Sequence, residues 1–152
     1  MNQIELDRQF MHQAIEQAQL AALAGEVPVG AVLVRDGQVI SKAFNQPITN
    51  HDPSAHAEML ALRQAALSAE NYRLPGSTLY VTLEPCIMCA GAMIHARLDR
   101  VVYGAADPKT GAAGGVLDVF SSKQINHQTS VEGGVMSDEC GQLLRNFFKE
   151  RR

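Results

Sequence analysis

The sequence predicts an α/β protein: a mostly parallel sheet with helices on both faces, built as one domain over residues 1–152. Two observations carry this. Helix-spaced and strand-length apolar segments alternate along the chain, as helix, strand, helix, strand, strand, helix after an initial hairpin, which is the pattern of helices crossing over a sheet. Hydrophobic residues are 46% of the chain and charged residues 19%, enough apolar material for a packed core and too little charge for a disordered one.

The first helix is expected from about Asp7 to Ala24, where Phe10, Met11, Ala14, Ile15, Ala18, Ala21 and Ala22 recur at three- and four-residue steps. Asp7 suits an N-cap and Gly25 a stop. Val27 to Val34 is almost entirely apolar, as in a strand covered on both faces. Asp36-Gly37 signals a hairpin turn into a second strand, Val39 to Phe44. Asn45 to Pro53 reads as a polar loop. A second helix follows, with Ser54 as N-cap and Met59, Leu60, Leu62, Ala65, Ala66 and Leu67 on most of its faces, so burial is expected. Thr78 to Leu83 is a third strand. Pro85 suits the start of a third helix, in which Cys86 and Cys89 are three apart and face the same way. Arg100 to Tyr103 and about Gln128 to Glu132 are further strands, separated by a Gly- and Ala-rich loop from Ala105 to Gly115. Ser137 caps a last amphipathic helix with Cys140, Leu143, Leu144, Phe147 and Phe148 on one stripe.

Composition excludes several classes. No apolar run approaches the ~20 residues of a membrane span. Met1 to Glu5 lacks the basic-then-apolar pattern of a secretory signal. Three cysteines, two of them in Cys86-Ile87-Met88-Cys89, point to metal or redox chemistry in a reducing cytoplasm rather than a disulfide framework. The formal net charge is −3, so bulk charge gives no support to nucleic-acid binding, and such a partner needs local basic patches.

Two short pieces carry the chemistry. His56-Ala57-Glu58 and Pro85-Cys86-Ile87-Met88-Cys89 both fall at helix starts, where sites of α/β sheets lie. One imidazole and two thiolates are three ligands for a zinc ion, and three protein ligands leave the fourth position open, as in catalytic zinc sites. Zinc lowers the pKa of a bound water to about 7. Glu58 would then carry a proton from that water to a ring nitrogen and on to leaving ammonia. This H-x-E and P-C-x-x-C pair is the signature of the zinc deaminases. Taken singly, His56 could be a structural histidine, and the two cysteines a redox pair or half of a structural zinc site. A structural site usually takes four protein ligands, and Cys140, the only other thiol, sits on an apolar stripe.

The chain closely resembles the bacterial tRNA-specific adenosine deaminases of the cytidine deaminase-like superfamily. The resemblance is most specific in Glu26-Val27-Pro28-Val29-Gly30-Ala31, in Asn45 followed by His51-Asp52-Pro53, in His56-Ala57-Glu58, in Leu83 to Ala92, and in Asp107-Pro108-Lys109-Thr110-Gly111-Ala112. It implies a three-layer α/β/α sandwich with a central five-stranded mixed sheet. It implies zinc on His56, Cys86 and Cys89, and a proton shuttle at Glu58. Asn45 would hydrogen-bond the purine, and Asp107 with its loop would contact the flipped-out nucleotide and its neighbour. The implied reaction is hydrolysis of adenosine to inosine at the wobble position of the tRNA anticodon loop, by a homodimer. The same chemistry on a free base or nucleoside, such as guanine, cytosine or cytidine, is the alternative, and a non-catalytic zinc or redox protein is a third. Two departures stand out: Gly115 where a serine is expected, and an end soon after Arg151-Arg152, short of a longer basic tail. Arg145, Lys149, Arg151 and Arg152 either touch phosphate or only complement a helix C-terminus. Glu84 could support the cysteine loop through hydrogen bonds and is assigned no chemistry. His12, His95 and His127 are expected at the surface, and the role of His51 is open.

Overall fold

The computed structural model describes residues 1–151. Among these, the helices are α1 (Gln3–Leu23), α2 (Pro47–Asn50), α3 (Ala57–Ala69), α4 (Ile87–His95) and α5 (Ser137–Glu150). The strands are β1 (Gly30–Arg35), β2 (Gln38–Phe44), β3 (Ser77–Leu83), β4 (Arg100–Ala105) and β5 (Ser130–Glu132). The sheet runs in the order β2-β1-β3-β4-β5. β1 is antiparallel to both β2 and β3, whereas β3, β4 and β5 are parallel. The sheet is therefore mixed, and the mostly parallel expectation holds only for its second half.

Strand pleating splits the core into two layers, because successive side chains point to opposite faces. Ala31 and Leu33 of β1 pack with Ala61, Ala65, Cys89 and Met93 of α3 and α4. Val32 and Val34 pack on the other face, with Phe10, Met11 and Ile15 of α1 and Cys140 of α5. This is the three-layer sandwich. At Gly30 a side chain would collide with the Ala14 carbonyl oxygen, so glycine lets α1 lie directly on the start of β1. The Asp36-Gly37 turn has both residues at positive φ, 53° and 74°, as a two-residue hairpin between twisted strands requires.

Several expected boundaries shift. α1 begins at Gln3, capped by Asn2, whose side chain accepts the Glu5 N–H. Asp7 lies inside the helix, buried, where a partner overrides the N-cap reading. Arg100 donates to both of its carboxylate oxygens at 2.7 Å, and Tyr80 Oη at 2.8 Å. Arg100 also pairs with Glu132, so α1, β3, β4 and β5 meet at one ion pair. Ser54 does not cap α3. It binds the Asp52 carboxylate, and the N-cap is His56. Met136, left-handed at φ 55°, precedes α5 in place of Ser137. Leu67 is 80% exposed and Phe148 45%, so neither helix buries the whole apolar surface expected of it.

Burial pushes the Asp7 carboxyl up, but the hydrogen bonds from Arg100, Tyr80 and Gln3 outweigh it, and its pKa falls below the ordinary 3.8. A depressed carboxylate pKa contributes stability above the unfolded value, and that stability is lost as pH falls through the folded value. Asp7→Asn should therefore destabilise the protein by about 3 kcal/mol at neutral pH, the upper end for loss of hydrogen bonds to a charged group, since Arg100 is only partly buried and keeps Glu132. That corresponds to a Tm roughly 6–12 °C lower in a chain of this size, measurable by calorimetry. The difference from the parent protein should narrow below pH ~4.

The register sets the site. Phe44 pairs with Gly30, Ala31 with Val81, and Leu83 with Ala105. The C-terminal ends of β2, β3 and β4 thus lie along one edge of the sheet. From them the chain continues into Asn45, into Glu84-Pro85-Cys86 and into Asp107.

Candidate metal centre and active site

His56 and Cys86 are the N-caps of α3 and α4, both with extended backbone, and neither cap side chain is spent on its own helix. Cys89 and Glu58 lie in the first turns of the same helices. The packing of α3 beside α4 brings these residues together. His56 Nδ1 lies 3.6 Å from Cys86 Sγ and 3.5 Å from Cys89 Sγ. All three ligand atoms fall within 4.8 Å of one another. Tetrahedral zinc with bonds of about 2.3 Å to sulfur and 2.0–2.1 Å to nitrogen requires sulfur and nitrogen ligands about 3.6 Å apart. The cluster fits zinc. Cys140, the remaining thiol, is in the core layer on the opposite face of the sheet, where burial pushes its pKa up to about 12. The cluster therefore has three protein ligands, as an open zinc site has, rather than the four of a structural one.

Without a metal the two thiols diverge. A hydrogen bond from Cys89 pulls Cys86 down to about 4, against burial and with help from His56. The same hydrogen bond, together with burial, pushes Cys89 up. His56 is raised in turn, chiefly by its hydrogen bond to Cys86. Glu58 is 3% exposed, and burial pushes it up to about 7. A carboxyl poised near neutrality beside a metal cluster is suited to taking and giving a proton.

The walls come from the same sheet edge. Asn45 is buried, and its Oδ1 accepts the Ala57 N–H at 2.9 Å, fixing the start of α3. No hydrogen bond within the described residues takes its amide nitrogen, which leaves a donor for a ligand. Glu26, 1% exposed, accepts from the Ile48 and Thr49 N–H groups and from Thr49 Oγ1, and so anchors α2. Burial raises its pKa, but these hydrogen bonds outweigh it and the net shift is downward. His51 closes α2 in a left-handed conformation and is exposed.

Asp107 follows the end of β4, and its carboxylate is turned onto its own loop. Oδ1 accepts the Lys109 and Thr110 N–H groups, and Oδ2 the Thr110 hydroxyl at 2.7 Å. It organises its own turn, and only the turn as a whole faces outward. Beside it lies a groove of about 820 Å³ between this loop and α5, floored by Val27 and Leu83 and edged by Lys109, Arg145, Phe148 and Lys149. None of the metal ligands lines it. Arg151 is stacked over the Phe147 ring at 3.6 Å, and Arg152 lies outside the described residues. His12 and His95 are exposed, as expected. His127 is half-buried, its Nε2 paired with the Leu98 carbonyl at 2.8 Å. Glu84 departs furthest from expectation. Its buried carboxylate holds the 107–115 loop through three backbone N–H groups, not the cysteine loop. A charged residue inside an otherwise apolar strand end was the available signal, since a buried charge needs partners.

Comparison with known proteins agrees with this geometry. Residues 4–105 match the family model of the cytidine and deoxycytidylate deaminase zinc-binding region. The tRNA-specific adenosine deaminase of Haemophilus influenzae is 50% identical over 149 residues, 97% of this chain and 86% of that protein. The chain belongs to the tRNA-specific adenosine deaminase family. The Bacillus subtilis member is 47% identical over 96% of this chain and 91% of its own length. A solved structure from work on A-to-I editing by tRNA:A34 deaminases superposes with a TM-score of 0.86 at 43% identity, covering 90% of this chain and 99% of that one. The five-stranded mixed sheet and its layering are thus those of the family, and the three-ligand cluster fits a zinc-binding deaminase domain.

Proposed function

We infer that this chain is a zinc-dependent hydrolase that converts adenosine to inosine at the wobble position of the tRNA anticodon loop. The observation that carries it is the triangle of His56, Cys86 and Cys89, three protein ligands rather than four, with buried Glu58 two residues from His56. When bound there, zinc acidifies a water to supply the nucleophile at neutral pH. Glu58 would take one proton from the attacking water and give it to the purine ring nitrogen, then take the proton of the new hydroxyl on the attacked carbon and give it to the amino group, which leaves as ammonia. Asn45 donates its free amide N–H to the purine. The helix N-termini of α3 and α4 direct partial positive charge at the reacting centre.

The base must be turned out of its stack to reach this site. The Asp107 turn and α5 hold the neighbouring nucleotides, with Lys109, Arg145 and Lys149 on phosphates and Phe148 against a base. This local patch answers the net charge of −3. The deaminase is a single domain over the whole chain, acting in the cytoplasm, where its thiols stay reduced. Among the described residues no helix is long and apolar enough to cross a membrane.

The decisive assay is inosine formation on an anticodon stem-loop carrying a wobble adenosine, set against free adenosine, guanine, cytosine and cytidine. The stem-loop should be deaminated and the free compounds hardly at all. Activity at limiting RNA should fall as salt rises, because phosphate contacts release counterions. Equal turnover of a free base or nucleoside would leave the chemistry standing and remove the RNA reading. The enzyme is a homodimer, its contact made by the outer surface of α3 and α4 around Met59 and Ala92, with Tyr72 of the segment after α3 beside them. Sedimentation at micromolar concentration should show a species near twice 16.5 kDa, and a monomer alone would contradict it.

A further inference from the structure

We propose that Glu84 is a positioning residue that sets the shape of the RNA-binding loop and ties it to the metal centre, and that Gly115 is the matching position that lets the loop close. The proposal rests on the reading that the 107–115 loop contacts RNA. Glu84 is 3% exposed. Its Oε1 accepts the Asp107 N–H at 2.9 Å, and its Oε2 accepts those of Ala113 at 2.9 Å and Gly115 at 2.8 Å. Both ends of the loop are therefore held by one carboxylate. Such charge-assisted bonds are the strong kind.

The middle of the loop is fastened elsewhere. Gly111 bridges to Cys86, and the Ala112 N–H reaches the Pro85 carbonyl at 2.8 Å. Glu84, Pro85 and Cys86 are consecutive, so the residues that seat one metal ligand also seat the loop. A Cβ at Gly115 would overlap the Asp107 carbonyl oxygen and come within 2.9 Å of both Glu84 oxygens. A side chain at this exposed position would have to displace the Asp107 carbonyl or the Glu84 carboxylate, so glycine fits the loop as it is closed here.

Glu84→Gln keeps the shape but puts an amide N–H₂ against at least one backbone N–H. The KM for the anticodon stem-loop should rise roughly tenfold, with kcat at saturating RNA within about threefold of the parent. Gly115→Ala strains the same loop from the surface and should move KM in the same direction without threatening the core, which keeps the test open if the Glu84 variant does not fold. Amide hydrogen exchange supplies a readout independent of RNA: protection at Asp107, Ala113 and Gly115 should be lost while the core strands keep theirs. An unchanged KM in a folded variant overturns the proposal. So does exchange accelerated evenly through the molecule, which marks a merely structural role. If the parent protein fails to deaminate the stem-loop, the functional reading falls, and the exchange experiment alone decides whether Glu84 holds the loop.

Discussion

Glu58→Ala is expected to lower kcat on the stem-loop by at least ~10²-fold, the low end for general acid/base catalysis, with zinc content and fold unchanged. The residue is buried against the cluster but is not one of the three converging ligand atoms, so its removal leaves the metal triangle intact. On the proposed mechanism, what is lost is the group that moves protons between water, ring nitrogen and leaving ammonia. Burial pushes its pKa up to about 7 before any metal is considered, and the positive charge of a bound cation lowers it. The carboxylate must be ionised to accept the first proton, so activity should fall as pH drops, with an acid limb at or below about 7. A pH–rate profile and zinc analysis on the same preparation check both statements. A variant that retains near-parental rate would end the proposed mechanism, and one that loses its zinc would move Glu58 from catalysis to metal retention.

The parts of this molecule that were legible in the sequence are those whose cause is local. The cluster of His56, Cys86 and Cys89 declares itself by residue type and spacing, and the hairpin by Asp36-Gly37. What the sequence reading missed depends on partners far along the chain. Asp7 looks like a helix cap until Arg100, 93 residues away, takes both of its oxygens. Glu84 holds three N–H groups 23, 29 and 31 residues further on, across a strand and a helix. The direction of β1 is likewise unreadable locally, because an apolar run pairs equally well parallel or antiparallel. Its antiparallel pairing with β3 follows from the hairpin and the long loop-and-helix return. At Asp107 the sequence leaves two readings open for the same reason. A carboxylate before a proline can point outward or cap its own turn, and here it caps.

Cys89→Ala should abolish both zinc binding and activity, a larger loss than that of Glu58→Ala. Cys89 is fully buried in the first turn of α4, with its Sγ 3.5 Å from His56 Nδ1. In the metal-free protein its proton is held firmly, through the hydrogen bond shared with Cys86 and through burial. A cation must displace that proton, so zinc affinity should weaken as pH falls, since thiolates and neutral imidazole are the ligating forms. With alanine there, two ligands remain, too few for a site that normally has at least three from the protein. The fold should survive, because Ala57, Ala61, Ala90 and Met93 still pack the α3–α4 layer onto the sheet. The variant should, however, lose the stabilisation that metal binding to the native state adds. Metal analysis, thermal unfolding with and without added zinc, and inosine formation read these three effects separately. Chelation of the parent protein should reproduce them, and added zinc should restore the parent but not the variant. A Cys89→Ala protein that still carries one equivalent of zinc would show that the metal sits elsewhere than in this triangle.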